Sequence, residues 1–294
     1  MKIIIDATEQ TENCYPLTIN RPNALLSVFN KTLLEHLFVK VAKQAQEVII
    51  KIHNNHIYQI RQMELFNQCC IVNDWVEHED DIVLDGGAFY LGDNPQDLKN
   101  NIFPIAYSWD LLNCQEKYEE NIVKYISPDC VIEEFATLKG NISVGAGTII
   151  KNGVYISGSV TIGRNCIIGP NCYIRGVTSI GDNCRIGNAV EIKNAIIGKN
   201  ANICHLSYFG DSIAGNNVGL GAGFINANLR HDNLEIATSL NGKKIATKRK
   251  KLGAIIGDNV HTGINTSVYP GRKIWPGQST KPGEIVSKDI TFGL

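Results

Sequence analysis

The sequence predicts a mainly β protein, a parallel β-helix of hexapeptide repeats behind a small α/β domain, and three observations predict it. Read in steps of six from Ile126, the chain gives Ile126, Ile132, Leu138, Val144, Ile150, Ile156, Ile162, Ile168, Ile174, Ile180, Ile186 and Ile192, twelve branched aliphatics at consecutive sixth positions. A glycine often follows the aliphatic (Gly145, Gly163, Gly169, Gly181, Gly187), and a small or β-branched residue lies four places on (Val154, Val160, Cys166, Cys172, Thr178, Cys184, Val190). Residues 1 to about 125 show no such period. A fixed short period marks a repeat architecture in which each unit is one supersecondary element, here a short strand and a corner. Three units make a coil of about 18 residues, and coils stack at the strand spacing of about 4.8 Å. The aliphatic points inward, and the glycine lets the backbone turn the corner. Ordinary strands joined by turns do not hold so strict a period for so long.

The first domain, 1–125, reads as a shortened α/β unit. Lys2–Ala7 is a short buried strand. Asn23–Val48 reads as mostly helix, with Leu25, Leu26, Phe29, Leu33, Leu34, Leu37 and Phe38 on one apolar face. Val48–Ile60 is strand-like. Asp80–Leu91 holds a strand at Ile82–Leu84 and a Gly-Gly turn, and Pro104–Tyr118 runs through Trp109 into a charged helical linker.

The second domain, 126–294, is the β-helix. After Ile192 its register slips by one, to Ile197 and Ile203, and then His205-Leu-Ser-Tyr-Phe-Gly-Asp211 breaks the repeat. The period resumes at Ala214 and Leu220, is interrupted from Asn226 to about Gly253, and returns at Ile256, Thr262, Val268 and Ile274. Asn241-Gly242, between Ile236–Leu240 and Lys243–Thr247, marks a hairpin. Solenoids carry their insertions on the binding face, so function is expected at the two interruptions.

Bulk properties remove several functional classes. A content of 44% hydrophobic and 19% charged residues is that of a soluble globular chain, and a net charge of −1 leaves no basic excess for binding nucleic acid. No apolar run reaches membrane-span length. The start, MKIIIDATEQ, is one lysine and a short apolar run followed by acids, which is no signal peptide. Nine cysteines, an odd number without CxxC spacing, fit a reducing cytoplasm better than a disulfide framework. His205, His231 and His261 lie 26 and 30 residues apart, which is not a coil spacing, so no metal site is expected.

At the interruptions, particular residues carry chemistry. Arg175 and Lys193 stand where glycine usually follows the aliphatic, and their spacing of 18 stacks them on adjacent coils. Two cations that close repel unless an anion such as phosphate bridges them; the other reading is two solvated side chains splaying apart. His205 can take a proton from an amine or hydroxyl nucleophile, or be a satisfied structural residue. Tyr208 can likewise simply cap the coil. Lys243, Lys244, Lys248, Arg249, Lys250 and Lys251 form a basic hairpin, which suits an anionic ligand and equally a solvated face.

The segments Asn188-Ala-Val-Glu-Ile-Lys193, His205 to Asp211, Gly221-Ala-Gly-Phe-Ile-Asn-Ala-Asn-Leu-Arg-His-Asp232 and Gly253-Ala-Ile-Ile-Gly-Asp-Asn259 resemble one family. It is the acetyltransferase domain of bifunctional sugar-1-phosphate nucleotidylyltransferase/acetyltransferases, the N-acetylglucosamine-1-phosphate uridyltransferases. The long Asn-Leu-Arg-His-Asp segment with its hairpin is closer to the archaeal type, and the likeness covers roughly residues 105–294. It implies a left-handed β-helix, a homotrimer with active sites between subunits, and transfer of acetyl from acetyl-CoA to the amine of a hexosamine 1-phosphate such as glucosamine 1-phosphate. By that likeness His205 is the general base, oriented by Glu191. Tyr208 helps hold the substrate, Asn228 orients substrate or thioester, Arg175 and Lys193 bind the sugar phosphate, and the Gly221-Ala222-Gly223 backbone lies along the CoA arm.

Two departures bear on the substrate. Gly219 stands where bacterial members carry Asn, and the lysines usual after the Asn-Leu-Arg motif are replaced by Asn233-Leu-Glu-Ile-Ala-Thr238. Acyl transfer to a nucleotide-linked amino sugar, or a non-catalytic sugar-phosphate sensor or scaffold, are the alternative readings. The N-terminal stretches Tyr15–Pro22 and Leu25–His36 look like the start of a sugar nucleotidyltransferase domain. The loop that should be Gly-rich reads Asp6-Ala-Thr-Glu-Gln-Thr-Glu-Asn-Cys-Tyr15, without glycine and with two glutamates that repel phosphate. Nucleotidyl transfer is therefore expected to be absent.

Overall fold

A computed structural model of the chain describes residues 2–76, 81–91, 98 and 101–292. Its contacts divide it into two compact units, Met1–Cys14 with Thr18–Asp110, and Tyr15–Leu17 with Leu111–Leu294. Among the described residues no helix is long and apolar enough to cross a membrane.

The first unit is a small α/β fold. Four parallel strands lie in the order Cys70–Val72, Glu47–Lys51, Lys2–Asp6, Ile82–Asp85. The central strand is an unbroken apolar run, Ile3-Ile4-Ile5, as a strand covered on both faces requires. The helix expected over Asn23–Val48 is confined to Leu33–Val41. Phe29 and Asn30 take positive φ (53° and 61°) and turn a short hairpin between Ser27–Val28 and Lys31–Thr32. Thr32 then starts the helix with a capping box: its Oγ1 accepts from Glu35 N (3.1 Å) and Glu35 Oε2 accepts from Thr32 N (2.7 Å). The expected strand over Val48–Ile60 divides as well, into the strand Glu47–Lys51 and a helix Asn54–Arg61 that buries His56 and Ile60, four apart on one face. Ile82–Asp85 and the turn at Gly86-Gly87 are where the sequence puts them; Asp80 lies outside the described residues.

The second unit is the left-handed β-helix. Its first coils are in register at 18 residues: Ile126 beside Val144 and Ile162 beside Ile180; Ile132 beside Ile150, Ile168 and Ile186; Leu138 beside Ile156, Ile174 and Ile192. These columns form one continuous core. Ile126 and Ile132 are 39% and 41% exposed because the first coil stacks on one side only. The slip after Ile192 is a shortening of the coil to 17 residues, pairing Ile180 with Ile197 and Ile186 with Ile203.

The stretch from His205 to Asp211 does not interrupt the coil, contrary to expectation. Asn202–His205 and Tyr208–Gly210 are strands in register with the coil before them. Phe209 takes the inward place of the aliphatic, fully buried, its ring 6.3 Å from that of Phe224. The second interruption is real. Ala214 pairs with Ile256, and the excursion between them carries the hairpin Ala237–Leu240/Lys243–Ala246, turned at Asn241 and Gly242. The helix Asp110–Lys117, expected as a linker, is part of this unit: it buries Leu111, Leu112, Cys114 and Gln115, and Gln115 Nε2 donates to Val177 O at 2.6 Å.

Gly140, Gly158 and Gly176 form a column with φ of 119°, 106° and 71°, and a Cβ on Gly158 would lie 2.6 Å from Gly176 O. Gly158→Val is expected to cost roughly 2–4 kcal/mol, from the forbidden backbone region and the clash together, and to lower the melting temperature of the β-helix in a thermal melt. Burial holds the His36 imidazole down at about 4 while its Nε2 hydrogen-bonds Val28 O at 2.8 Å. A depressed histidine stays neutral in the fold while the unfolded chain takes up its proton. Stability of the first unit should therefore fall between about pH 6.5 and pH 4, and His36→Gln should flatten that part of a denaturant-midpoint-against-pH profile.

Candidate functional site

Coil stacking brings residues distant in sequence into two adjacent columns. Tyr155, Tyr173, Glu191 and Tyr208 stand side by side in one; Ser157, Arg175, Lys193 and Gly210 stand in the other. Arg175 and Lys193 are stacked as their spacing predicts. The anions beside them are the protein's own. Arg175 reaches Glu191 Oε1 through Nε (2.8 Å) and an Nη (2.7 Å), a pair about one-third exposed. Lys193 Nζ lies 2.6 Å from Asp211 Oδ2, with side chains only 16% and 3% exposed, so this pair is far less screened by solvent. The two cations neither repel unopposed nor splay into water.

Glu191 is engaged by Arg175, not by His205 as the resemblance implies. His205 ends the strand Asn202–His205, its side chain is exposed, and its ring has no hydrogen bond among the described residues. It sits across a two-residue corner from Tyr208. The same corner brings it beside the Gly221–Gly223 backbone, where Gly223 N donates to His205 O at 3.1 Å. Gly221 and Gly223 also have a packing reason to be glycine: a Cβ would meet Gly263 O at 2.5 Å and Asn265 Oδ1 at 2.3 Å respectively. Gly219 is comparable, standing against the His261 ring. Among the described residues no three His, Cys, Asp or Glu side chains gather as metal ligands.

Asn228, just inside the excursion, returns to the column. Its Nδ2 donates to Tyr208 Oη (3.0 Å) and to Asp211 Oδ2. Burial pushes the Tyr208 phenol up, and the charges of Asp211 and Glu191 push the same way, so the hydroxyl keeps its proton at neutral pH. Arg230 and Asp232 of the Asn-Leu-Arg-His-Asp segment bind each other at the surface. In the basic hairpin Arg249 is buried and bound to Glu116 and Asn113 of the helix Asp110–Lys117, whereas Lys243, Lys244, Lys248, Lys250 and Lys251 are exposed.

Two residues of this network were missed in the sequence. Asp211 gathers Lys193, Asn194 and Asn228. Its signal was available: a lone acid in an apolar segment, one coil beyond Lys193. Glu116, which holds both Asn194 and Arg249, had no signal, since it lies outside the repeat. Beside the columns is a shallow cavity of about 370 Å³ lined by Tyr155, Asn171, Cys172, Tyr173, Val190 and Glu191.

Comparison with known proteins finds relatives of the C-terminal part of the chain. A family model described as the GMPPB C-terminal domain matches residues 156–276. A "Bifunctional protein GlmU" from Methanococcus maripaludis is 49% identical over 186 residues, 63% of this chain and 44% of that one. A "Bifunctional sugar-1-phosphate nucleotidylyltransferase/acetyltransferase" from Sulfurisphaera tokodaii is 38% identical over 189 residues, 64% of this chain and 47% of that one. A solved UDP-N-acetylglucosamine acyltransferase from Campylobacter jejuni shares 20% identity over 56% of this chain and 68% of its own, at a TM-score of 0.24, too low to argue from. The chain thus spans less than half the length of these bifunctional relatives. Over its C-terminal part it is a homologue of the bifunctional sugar-1-phosphate nucleotidylyltransferase/acetyltransferases.

Proposed function

We propose that the β-helix transfers acetyl from acetyl-CoA to the amine of an amino-sugar 1-phosphate, glucosamine 1-phosphate being the first candidate. The observation that carries this reading is the convergence of Arg175, Lys193, Tyr208 and Asn228 on two neighbouring columns, one corner away from His205, in a segment homologous to acetyltransferases. The amine attacks the thioester carbonyl carbon; a C–N bond forms and the C–S bond breaks. His205 accepts the proton shed by the amine and returns one to the leaving thiolate, with no covalent enzyme intermediate. Arg175 and Lys193 hold the phosphate, Arg175 exchanging part of its pairing with Glu191 for it and Lys193 adding a further donor while its bond to Asp211 stays in place. Tyr208 donates to the substrate, and the Gly221-Ala222-Gly223 backbone lines the path of the CoA arm. A homotrimer with sites between subunits, working in the cytoplasm, completes the proposal.

Nucleotidyl transfer is proposed to be absent from the first unit. After the strand Lys2–Asp6 the chain carries Glu9, whose carboxyl is raised by burial and by the nearby charges of Asp85 and Asp6. An acidic surrounding of this kind opposes a triphosphate.

One observation favours a second acceptor class. The cavity beside Glu191 is walled by Tyr155 and Tyr173, both 38% exposed with ring centroids 5.6 Å apart, and aromatic faces of this kind stack on nucleobases. A nucleotide-linked amino sugar would use them; a free sugar phosphate would not.

Incubation with acetyl-CoA and glucosamine 1-phosphate should give an N-acetylated product by mass spectrometry, and His205→Ala should lower its rate on the order of 10²–10⁴-fold with an unchanged melt. Full activity in that variant would remove His205 as the base. Tyr173→Ala should raise the KM for a nucleotide-linked acceptor roughly tenfold and leave that for the free sugar phosphate unchanged, if the cavity takes a base. Equal effects on both acceptors would exclude the second reading.

A further inference from the structure

We propose that Asp211 is a positioning residue for acyl transfer: acting through Asn228, it turns the amide carbonyl of that side chain toward the acceptor and thereby selects a primary amine over a hydroxyl. The identity of the acceptor rests on the acetyltransferase reading above; the orientation of Asn228 does not.

The argument is one of hydrogen-bond inventory. Asp211 is a carboxylate ion-paired with Lys193, and a carboxylate only accepts. The atom of Asn228 that meets Asp211 Oδ2 is therefore the amide nitrogen. The same nitrogen donates to Tyr208 Oη at 3.0 Å. Both amide protons are consumed inside the protein, and what Asn228 has left is its carbonyl oxygen, which has no hydrogen bond among the described residues. Tyr208 accepts on its oxygen and so keeps its own proton to give outward.

Asp211 is itself fixed. Its Oδ1 accepts from Asn194 Nδ2 at 3.0 Å, its N donates to Lys193 O at 2.8 Å, its O accepts from Gly253 N at 2.8 Å, and its side chain is 3% exposed. Asn194 is in turn held by Glu116. With every bond made, the carboxylate cannot turn away and release the amide.

This arrangement gives the site two acceptors, the Asn228 carbonyl and, on the acetyltransferase reading, the His205 ring as the base. An attacking primary amine brings two protons, one for the carbonyl and one for the base that removes it. A hydroxyl brings one, and leaves a polar group of the site unpaired, which is where discrimination between such acceptors originates. In Asp211→Asn the side chain at 211 can donate as well as accept, the Asn228 amide is free to flip, and an NH2 group then faces the incoming amine.

The test combines kinetics with a direct reading of the amide. Asp211→Asn, Asn228→Ala and the double variant are assayed with acetyl-CoA and glucosamine 1-phosphate, with melting curves as a check on folding. Loss of a charge-assisted hydrogen bond predicts a fall in kcat/KM on the order of 10–100-fold for Asp211→Asn. Because Asp211 acts through Asn228, adding that change to Asn228→Ala should cost less than about threefold more. Independent, multiplying losses, or a single variant within about threefold of the parent, overturn the proposal.

In parallel, selective ¹⁵N-asparagine labelling reads the Asn228 side chain without any acceptor. In the parent its amide protons should exchange slowly with solvent, and in Asp211→Asn at least about tenfold faster. If the parent makes no acetylated product, the acetyltransferase reading fails while slow exchange still supports the positioning role. Fast exchange in the parent overturns that role by itself, with no variant needed, which covers the case where Asp211→Asn does not fold.

Discussion

The structure depends on one constraint: each coil must lay its inward side chains on those of the coil below. At about 4.8 Å per coil there is no room for a change of register without a change in every column. Ile132, Ile150, Ile168 and Ile186 show the rule in one column, Leu138, Ile156, Ile174 and Ile192 in another. Loss of one residue per coil after Ile180 is absorbed at the corners, so that Ile197 and Ile203 still land inside. Glycines at Gly140, Gly158 and Gly176 follow from the same constraint, because the backbones pass too closely for a Cβ.

The functional columns inherit this rigidity. A side chain on a coil edge has a neighbour above and below at fixed spacing, so charge must alternate or be compensated. Arg175 over Lys193 is uncomfortable by itself, and the fold resolves it sideways, with Glu191 for the first and Asp211 for the second. The pairs differ in consequence. Arg175 and Glu191 are each about a third exposed and readily exchange their partner for an incoming anion. Lys193 and Asp211 are nearly buried, so separating them leaves a charge without water, and they act as a fixed part of the site.

The long excursion is tied down by the same network. Asn228 at its start binds Tyr208 and Asp211, and Arg249 at its end binds Glu116, which also holds Asn194. The exposed lysines of its hairpin are free of these constraints. Both ends of the insertion are thus bonded to the network around Asp211 and Glu116.

The repeat was legible in the sequence because it is local. An inward aliphatic every six residues needs no knowledge of the rest of the chain, and it located the columns, the core and the stacked cations; the hairpin was legible as locally, from the Asn241-Gly242 turn pair. Misreadings came where local pattern is ambiguous. Phe209 looked like a break because an aromatic stood at an aliphatic place, and the apolar run after Asn23 looked helical although Phe29 and Asn30 turn the chain. By itself the sequence determined which residues face inward and which edge residues stack. Only the tertiary structure decided their partners: that Glu191 serves Arg175 and not His205, that Asp211 gathers Lys193 and Asn228, and that Glu116 reaches Arg249. Those bonds join residues whose separation along the chain follows no period, and their existence depends on where each coil and the excursion return in space.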